Sequence, residues 1–236
     1  MVDVLAQLTK LRGAALDILF PHYCVGCGKE GSFICVSCLK SLPHLEFPVC
    51  PLCGLPQSNA GLCRNCQDWK ADIDGIRSPF RFDGIIRTAI HQLKYSNLRA
   101  IAPSLAKLLN EYLEVNVMDV DLLIAVPLHK KRQRERGYNQ SYLLAKELSK
   151  LINLPMDETS LVREKYVLPQ ARTSSVEERR ENVRDVFACR GDAIRSHRIL
   201  LIDDVTTSGA TMNACASVLK SAGAKVVWGL ALAREI

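Results

Sequence analysis

Residues 199–211 read Ile-Leu-Leu-Ile-Asp-Asp-Val-Thr-Thr-Ser-Gly-Ala-Thr. Two adjacent carboxylates, Asp203 and Asp204, follow four aliphatic residues and precede a hydroxyl-rich turn. Ionised carboxylates only accept hydrogen bonds, so they repel a phosphate and suit the hydroxyls of a polyol. Backbone N–H groups at the start of a helix do the reverse and hold a phosphate. Thr207, Ser208 and Thr211 add hydroxyl donors around Ala210, and Gly209 lets the backbone approach closely. A ribose 5-phosphate satisfies both halves, with its hydroxyls on the aspartates and its phosphate in the loop. The plainer alternative is a strand-turn-helix whose acids are merely solvated.

These groups need elements to hold them. Ile199–Ile202 is short, aliphatic and β-branched, which predicts a buried parallel strand spanning 198–203. Met212–Ser221 predicts a helix ended by Gly223. Further strands are expected at 73–82, 121–126, around 160–163 and at 226–231. Helices are expected at 84–94, 103–113 and 139–152, and a long charged loop with a helical part at 167–184. Strands alternating with helices give an α/β fold, a parallel sheet flanked by helices. Ligands in such sheets sit beyond the carboxyl ends of strands. Both the Asp203–Thr211 loop and the segment after Val126 fall there.

That second segment carries six cations in the eight residues His129–Arg136, counting His129 as protonated. A charge run is often just a solvated face. Here it follows a buried strand on the ligand edge, and the Arg fork suits a second anion such as a pyrophosphate. Tyr95 and Tyr138 lie among cations and could stack on bases, although edge-of-core packing is the more ordinary role for both.

The chain has 236 residues and a formal charge of +6, which permits an anionic partner without requiring one. Residues 1–20 show apolar residues at helical spacing interrupted by Asp3, Lys10, Arg12 and Asp17. This reads as an amphipathic helix, not as a signal peptide or a membrane span, and implies a cytoplasmic protein with no membrane partner. Eight of the ten cysteines form four Cys-x-x-Cys pairs before residue 67. Without a secretion signal that pattern reads as zinc thiolate chemistry. Cys24, Cys27, Cys35 and Cys38 form one unit of a repeat, and Cys50, Cys53, Cys63 and Cys66 the other. Sequential pairing, one ion per unit, is preferred over an interleaved cross-brace. Four thiolates close a tetrahedral shell, so both zinc ions are structural.

Three blocks in order make the chain resemble a known family: the cysteine repeat, Pro127–Gln140 with Arg136-Gly137-Tyr138-Asn139-Gln140, and Asp203–Thr211. The last block resembles the PRPP-binding motif of type I phosphoribosyltransferases, and the whole is similar to the ComF/GntX family of competence-associated proteins. Leu93-Lys94-Tyr95 and Arg163 with Gln170, Arg179, Asn182 and Phe187 are weaker matches. The resemblance implies a zinc-knuckle module over residues 21–70 and a type I phosphoribosyltransferase fold over 71–236. It implies PRPP with Mg²⁺ as ligand, single-stranded DNA and competence-machinery proteins as partners, and a role in natural transformation. Carried over, Asp203 and Asp204 are the catalytic pair on the ribose hydroxyls, and Thr207, Ser208, Gly209, Ala210 and Thr211 hold the 5-phosphate. Lys94, Leu128, His129, Lys130, Arg132, Arg136 and Arg163 take the pyrophosphate, and residues 163–182 resemble a mobile loop over the site. Ser208 stands where Thr is common and keeps the hydroxyl; Thr206 stands at a usually aliphatic position. Whether the sugar is transferred, and to what, the residues leave open. A binding module on the same fold, directed at single-stranded DNA or a protein, is the rival reading.

Overall fold

A nine-residue strand with both aspartates inside it lies in the middle of the main sheet. The computed structural model describes residues 21–165, 178, 183 and 185–236. The expected helix over 1–20, most of the loop expected over 167–184, and Gln170, Arg179 and Asn182 lie outside them. The chain divides into two compact units between Leu42 and Pro43. The first holds the Cys24–Cys38 set and a one-turn helix, α1 (Val36–Leu39). The second holds the Cys50–Cys66 set together with everything that follows.

In the second unit β1 (Gly75–Arg77) and β2 (Phe80–Arg81) lead into α2 (Gly84–Tyr95), α3 (Ala102–Val115) and β3 (Leu122–Ala125). Then come α4 (Lys130–Arg136), α5 (Gln140–Ile152), β4 (Met156–Asp157), β5 (Leu161–Arg163) and β6 (Phe187–Cys189). The chain closes with β7 (Arg198–Thr206), α6 (Ala210–Ser221) and β8 (Val226–Arg234). The main sheet runs β1-β8-β7-β3-β4, with β2 also pairing β8. Every pair in it is parallel. β5 and β6 form a separate antiparallel pair.

The β7 sequence explains its central place. Alternate side chains of a strand face opposite sides of the sheet. Ile199 and Leu201 pack with Met212, Cys215, Ala216 and Leu219 of α6. Leu200 and Ile202 are equally buried. α5 packs on β7 and β3 and brings its buried Leu144 and Leu148 there. A fully buried Leu or Ile contributes about 1.5–3 kcal/mol, so a strand apolar on both faces has to sit between two layers.

Several element ends differ from the sequence expectation. The strand expected over 73–82 is split, because Pro79 lacks an N–H and cannot continue a ladder. β7 runs on through both aspartates to Thr206, and α6 starts two residues earlier than expected, at Ala210. β8 continues past Ala231 to Arg234. The segment read as a loop after Pro127 contains α4. The His129 imidazole accepts a hydrogen bond from Lys131 N (3.1 Å) and caps its start, and Gly137 ends it at φ +81°. Lys, Arg, Gln and Glu are good helix formers, but a run without one apolar residue has no period to betray the helix.

Candidate functional site

The two cysteine sets fold the same way. Cys24 N donates to Lys29 O and Gly28 N to Cys24 O, both at 2.8 Å; Cys50 N donates to Leu55 O at 2.8 Å and Gly54 N to Cys50 O at 2.9 Å. Gly28 and Gly54 turn at φ +73° and +75°, where a Cβ is strained. Each knuckle turns a backbone N–H onto its first sulfur: Cys35 N to Cys24 Sγ at 3.3 Å and Cys63 N to Cys50 Sγ at 3.4 Å. Within each set the four sulfurs lie within 4.8 Å of one another, so pairing is sequential. The Cys27–Cys35 and Cys53–Cys63 sulfurs are 3.6 and 3.7 Å apart. Tetrahedral zinc at a Zn–S distance of about 2.3 Å separates its sulfurs by about 3.8 Å. Both sets therefore fit one structural zinc ion each.

The second knuckle is built into the body of its unit. Ile76 N donates to Leu52 O at 2.7 Å. A Cβ at Gly54 would lie 2.5 Å from the Ile76 carbonyl oxygen, so only glycine turns there. Trp69, just past the last ligand, packs against the core under α6. Arg64 and Trp69 also form one wall of a cavity of about 750 Å³ that extends along α6 to Ala210, Asn213 and Ser217.

At the carboxyl end of β7 the two aspartates are held differently. Asp204 is buried, and Lys94 from the last turn of α2 meets its Oδ2 at 2.9 Å. Asp203 Oδ1 accepts from Ser141 Oγ at 2.7 Å and from Asp204 N at 2.8 Å. Burial, reinforced by the neighbouring Asp204 charge, raises the Asp203 carboxyl to about 7. Ser141 is held in turn by its helix cap: Asn139 Oδ1 accepts from Ser141 N at 3.0 Å, and Asn139 Nδ2 donates to Val126 O at 2.9 Å. Asn139 thus ties the start of α5 to the end of the β3 segment.

The loop Thr207–Gly209 then turns into α6. Gly209 has φ +79°. A Cβ there would lie 2.6 Å from Ile76 Cδ1 and 3.4 Å from the Trp69 ring. Ser208 is buried, and its Oγ accepts from Ala210 N at 3.4 Å. The opened N–H groups and dipole of this twelve-residue helix favour an anion.

The expected pyrophosphate residues fall into groups. Leu128 and His129 are half-buried at the start of α4, Lys130 is exposed and Arg132 half-buried on it. Burial first, then the charges of Arg163, Arg134, Lys130 and Lys131, push the His129 imidazole below its ordinary value, so it adds less charge than the sequence count assumed. Arg163 on β5 lies over the Phe187 ring at 5.4 Å. Arg136 turns away: it donates to Gln140 Oε1 and sits 5.3 Å over the Tyr95 ring. Lys94 is engaged by Asp204. Tyr138 is buried and donates to Leu93 O, the edge-of-core role, whereas Tyr95 is 72% exposed.

Two residues of this constellation escaped sequence reasoning. Ser141 had a signal, since Asn139 before a helical pattern is a cap and the residue two positions on lies in its first turn. Arg234 had only a faint one, a cation closing an apolar strand. It is 3% exposed and donates to Cys53 O and, at 2.9 Å, to Thr207 O.

Residues 15–67 match the double zinc ribbon domain family. Over 232 residues the chain is 32% identical to competence protein F of Haemophilus influenzae, covering 91% of this chain and 98% of that protein. It is 29% identical over 211 residues to DNA utilization protein YhgH of Escherichia coli O157:H7, covering 86% and 91%. A solved glutamine phosphoribosylpyrophosphate amidotransferase from B. subtilis, complexed with ADP and GMP, superposes with a TM-score of 0.38 at 17% identity, over 56% of this chain and 26% of that one. Among the described residues no helix is long and apolar enough to cross a membrane.

Proposed function

Because the chain belongs to the ComF/GntX family and its second unit has the type I phosphoribosyltransferase fold, we propose that it binds PRPP between β7 and α6. One observation carries this reading. Two adjacent carboxylates, fixed by Lys94 and Ser141, stand directly before a glycine turn that opens a helix N-terminus. Asp203 and Asp204 accept from the ribose 2- and 3-hydroxyls, and Thr207–Thr211 receive the 5-phosphate with backbone and hydroxyl donors. Lys130, Arg132 and Arg163 face the pyrophosphate, with Leu128 and His129 shaping the approach. Asp203 and Asp204 offer carboxylate oxygens at this end of β7, and such oxygens suit a hard cation. Mg²⁺ bound with PRPP supplies charge neutralisation to the departing pyrophosphate. Lys94 holds the Asp204 carboxyl in its buried place, and Ser141 orients Asp203.

Relatives named for competence and DNA utilization support a role in DNA uptake or processing; we place that role in the cytoplasm, alongside competence-machinery proteins. A phosphoribosyl transfer would displace pyrophosphate from the anomeric carbon by an acceptor, through an oxocarbenium-like transition state. The test is calorimetric titration of PRPP with Mg²⁺ into the zinc-loaded chain, beside a pyrophosphate-release assay. Asp203→Asn/Asp204→Asn should weaken PRPP on the order of a hundredfold, the worth of two charge-assisted hydrogen bonds, while still binding two zinc ions. Unchanged affinity would remove the ribose assignment.

A second reading rests on a separate surface. Arg87, His91 and Tyr95 follow one another at four-residue spacing along α2. Phe82 stacks on His91 (ring centroids 5.9 Å), His91 meets Tyr95 edge-on (5.5 Å), and Arg87 and Arg136 cover Phe82 and Tyr95. Aromatic faces alternating with cations suit single-stranded DNA.

A further inference from the structure

We propose that Arg234 couples zinc at the second cysteine site to the shape of the Thr207–Thr211 loop, so that this metal is an allosteric requirement for the anion site. The inference rests on the PRPP reading only for the ligand. The coupling itself is a property of the chain.

Arg234 closes β8 and is buried. Its planar guanidinium reaches two carbonyls at once: that of Cys53, a zinc ligand, and that of Thr207, the first residue of the loop, at 2.9 Å. A rigid fork holding two acceptors fixes their separation. The register places Arg234 opposite Thr206, so the side chain starts from the strand that carries the loop.

Geometry makes the contact conditional on metal. Arg234 is buried with one prong of its fork on the carbonyl of Cys53, the backbone of a zinc ligand. Metal closes the knuckle and so fixes that carbonyl. Metal loss therefore frees one of the two acceptors, and the cost falls on the fork that positions Thr207.

A second contact acts on the other side of the loop. Gly209, at φ +79°, lies against Ile76 Cδ1 and the Trp69 ring, which a Cβ there would meet at 2.6 and 3.4 Å. Ile76 is hydrogen-bonded to Leu52 inside the knuckle. The loop is thus clamped at Thr207 through Arg234 and at Gly209 through the knuckle's flank. The Cys24–Cys38 set belongs to the other compact unit.

The decisive experiment uses the full chain and two readouts. Hydrogen exchange at the amides of Ser208–Thr211 reports loop order without ligand, and calorimetry with PRPP and Mg²⁺ reports the anion site. Arg234→Lys keeps the charge and loses the two-pronged fork. It should retain two zinc ions by metal analysis, yet speed loop exchange and weaken PRPP by about tenfold, a typical coupling. Zinc removal from the wild type by chelation, followed by zinc re-addition, should loosen and then restore the same amides. Protected loop amides in a zinc-replete Arg234→Lys chain, or in the chelated wild type, would overturn the coupling. If the wild type fails to bind PRPP, the proposed function falls, while the exchange arm still decides the coupling. If Arg234→Lys does not fold, the chelation series alone decides it.

Discussion

Asp203 and Asp204 are neighbours in sequence with different electrostatic settings. Asp204 has a cation at 2.9 Å. Asp203 has hydroxyl and amide donors and, among the described residues, no ion pair, and burial with the adjacent charge carries it from 3.8 to about 7. A carboxyl whose folded value is raised favours the folded state when protonated. Its contribution is therefore full below about pH 4 and is lost as pH rises through about 7. Asn cannot ionise, so Asp203→Asn should remove this decline. Urea unfolding of both proteins across that range checks it: the wild type should lose stability relative to Asp203→Asn as pH rises, and parallel profiles would refute the raised carboxyl. The same residue has a functional consequence. On the proposed PRPP reading, an ionised Asp203 would accept the ribose hydroxyls better than the neutral acid, because an ionised carboxylate only accepts hydrogen bonds.

At the scale of elements, α2 does two jobs with two faces. Ile86, Ala89, Ile90 and Leu93 are buried, whereas Arg87, His91 and Tyr95 form the exposed aromatic-cationic strip. The helix ends with Lys94 on Asp204 and Tyr95 under Arg136, so the strip and the aspartate pair share its last turn. Tyr95→Ala should cost about 1–3 kcal/mol in affinity for an oligothymidine, the worth of one base stacked on an aromatic ring. Arg87→Ala should instead flatten the salt dependence. Fluorescence anisotropy at several salt concentrations separates the two, and Tyr95→Ala binding as tightly as wild type would remove the strip from the DNA reading. How much of this was legible in the sequence follows from the range of each interaction. The knuckles, the aspartate loop and the apolar faces of α2, α3, α5 and α6 use neighbours within a few residues, so spacing revealed them. α4 was hidden because charge masks periodicity. Ser141 meets Asp203 across 62 residues and Arg234 meets Cys53 across 181, distances that no local pattern encodes.

At the scale of the molecule, two cysteine sets with one geometry have unequal surroundings. Among the described residues nothing lies within 4 Å of where a Gly28 Cβ would stand, while the equivalent atom at Gly54 would strike the β1 backbone. The local repeat is the same in both halves, so the sequence read one continuous module over 21–70. Residues 15–67 match a double zinc ribbon family as one stretch, and the second knuckle is packed within the compact unit that begins at Pro43. Leu52 and Trp69 pack on the core beneath α6, and Arg234 reaches the knuckle from β8. Loss of the second zinc should therefore be felt throughout the sheet, and loss of the first should stay within its own unit. Cys24→Ser/Cys27→Ser and Cys50→Ser/Cys53→Ser should each retain one zinc ion by metal analysis. Both tryptophans, Trp69 and Trp228, lie in the second unit, so tryptophan fluorescence reports that unit alone. Its thermal midpoint should hold in the first variant. In the second it should fall by roughly 5–15 °C, because a structural zinc supplies several kcal/mol of folding energy and each kcal/mol shifts a domain of this size by about 2–4 °C. Equal midpoints in the two variants would mean that the second site is as peripheral to the sheet as the first.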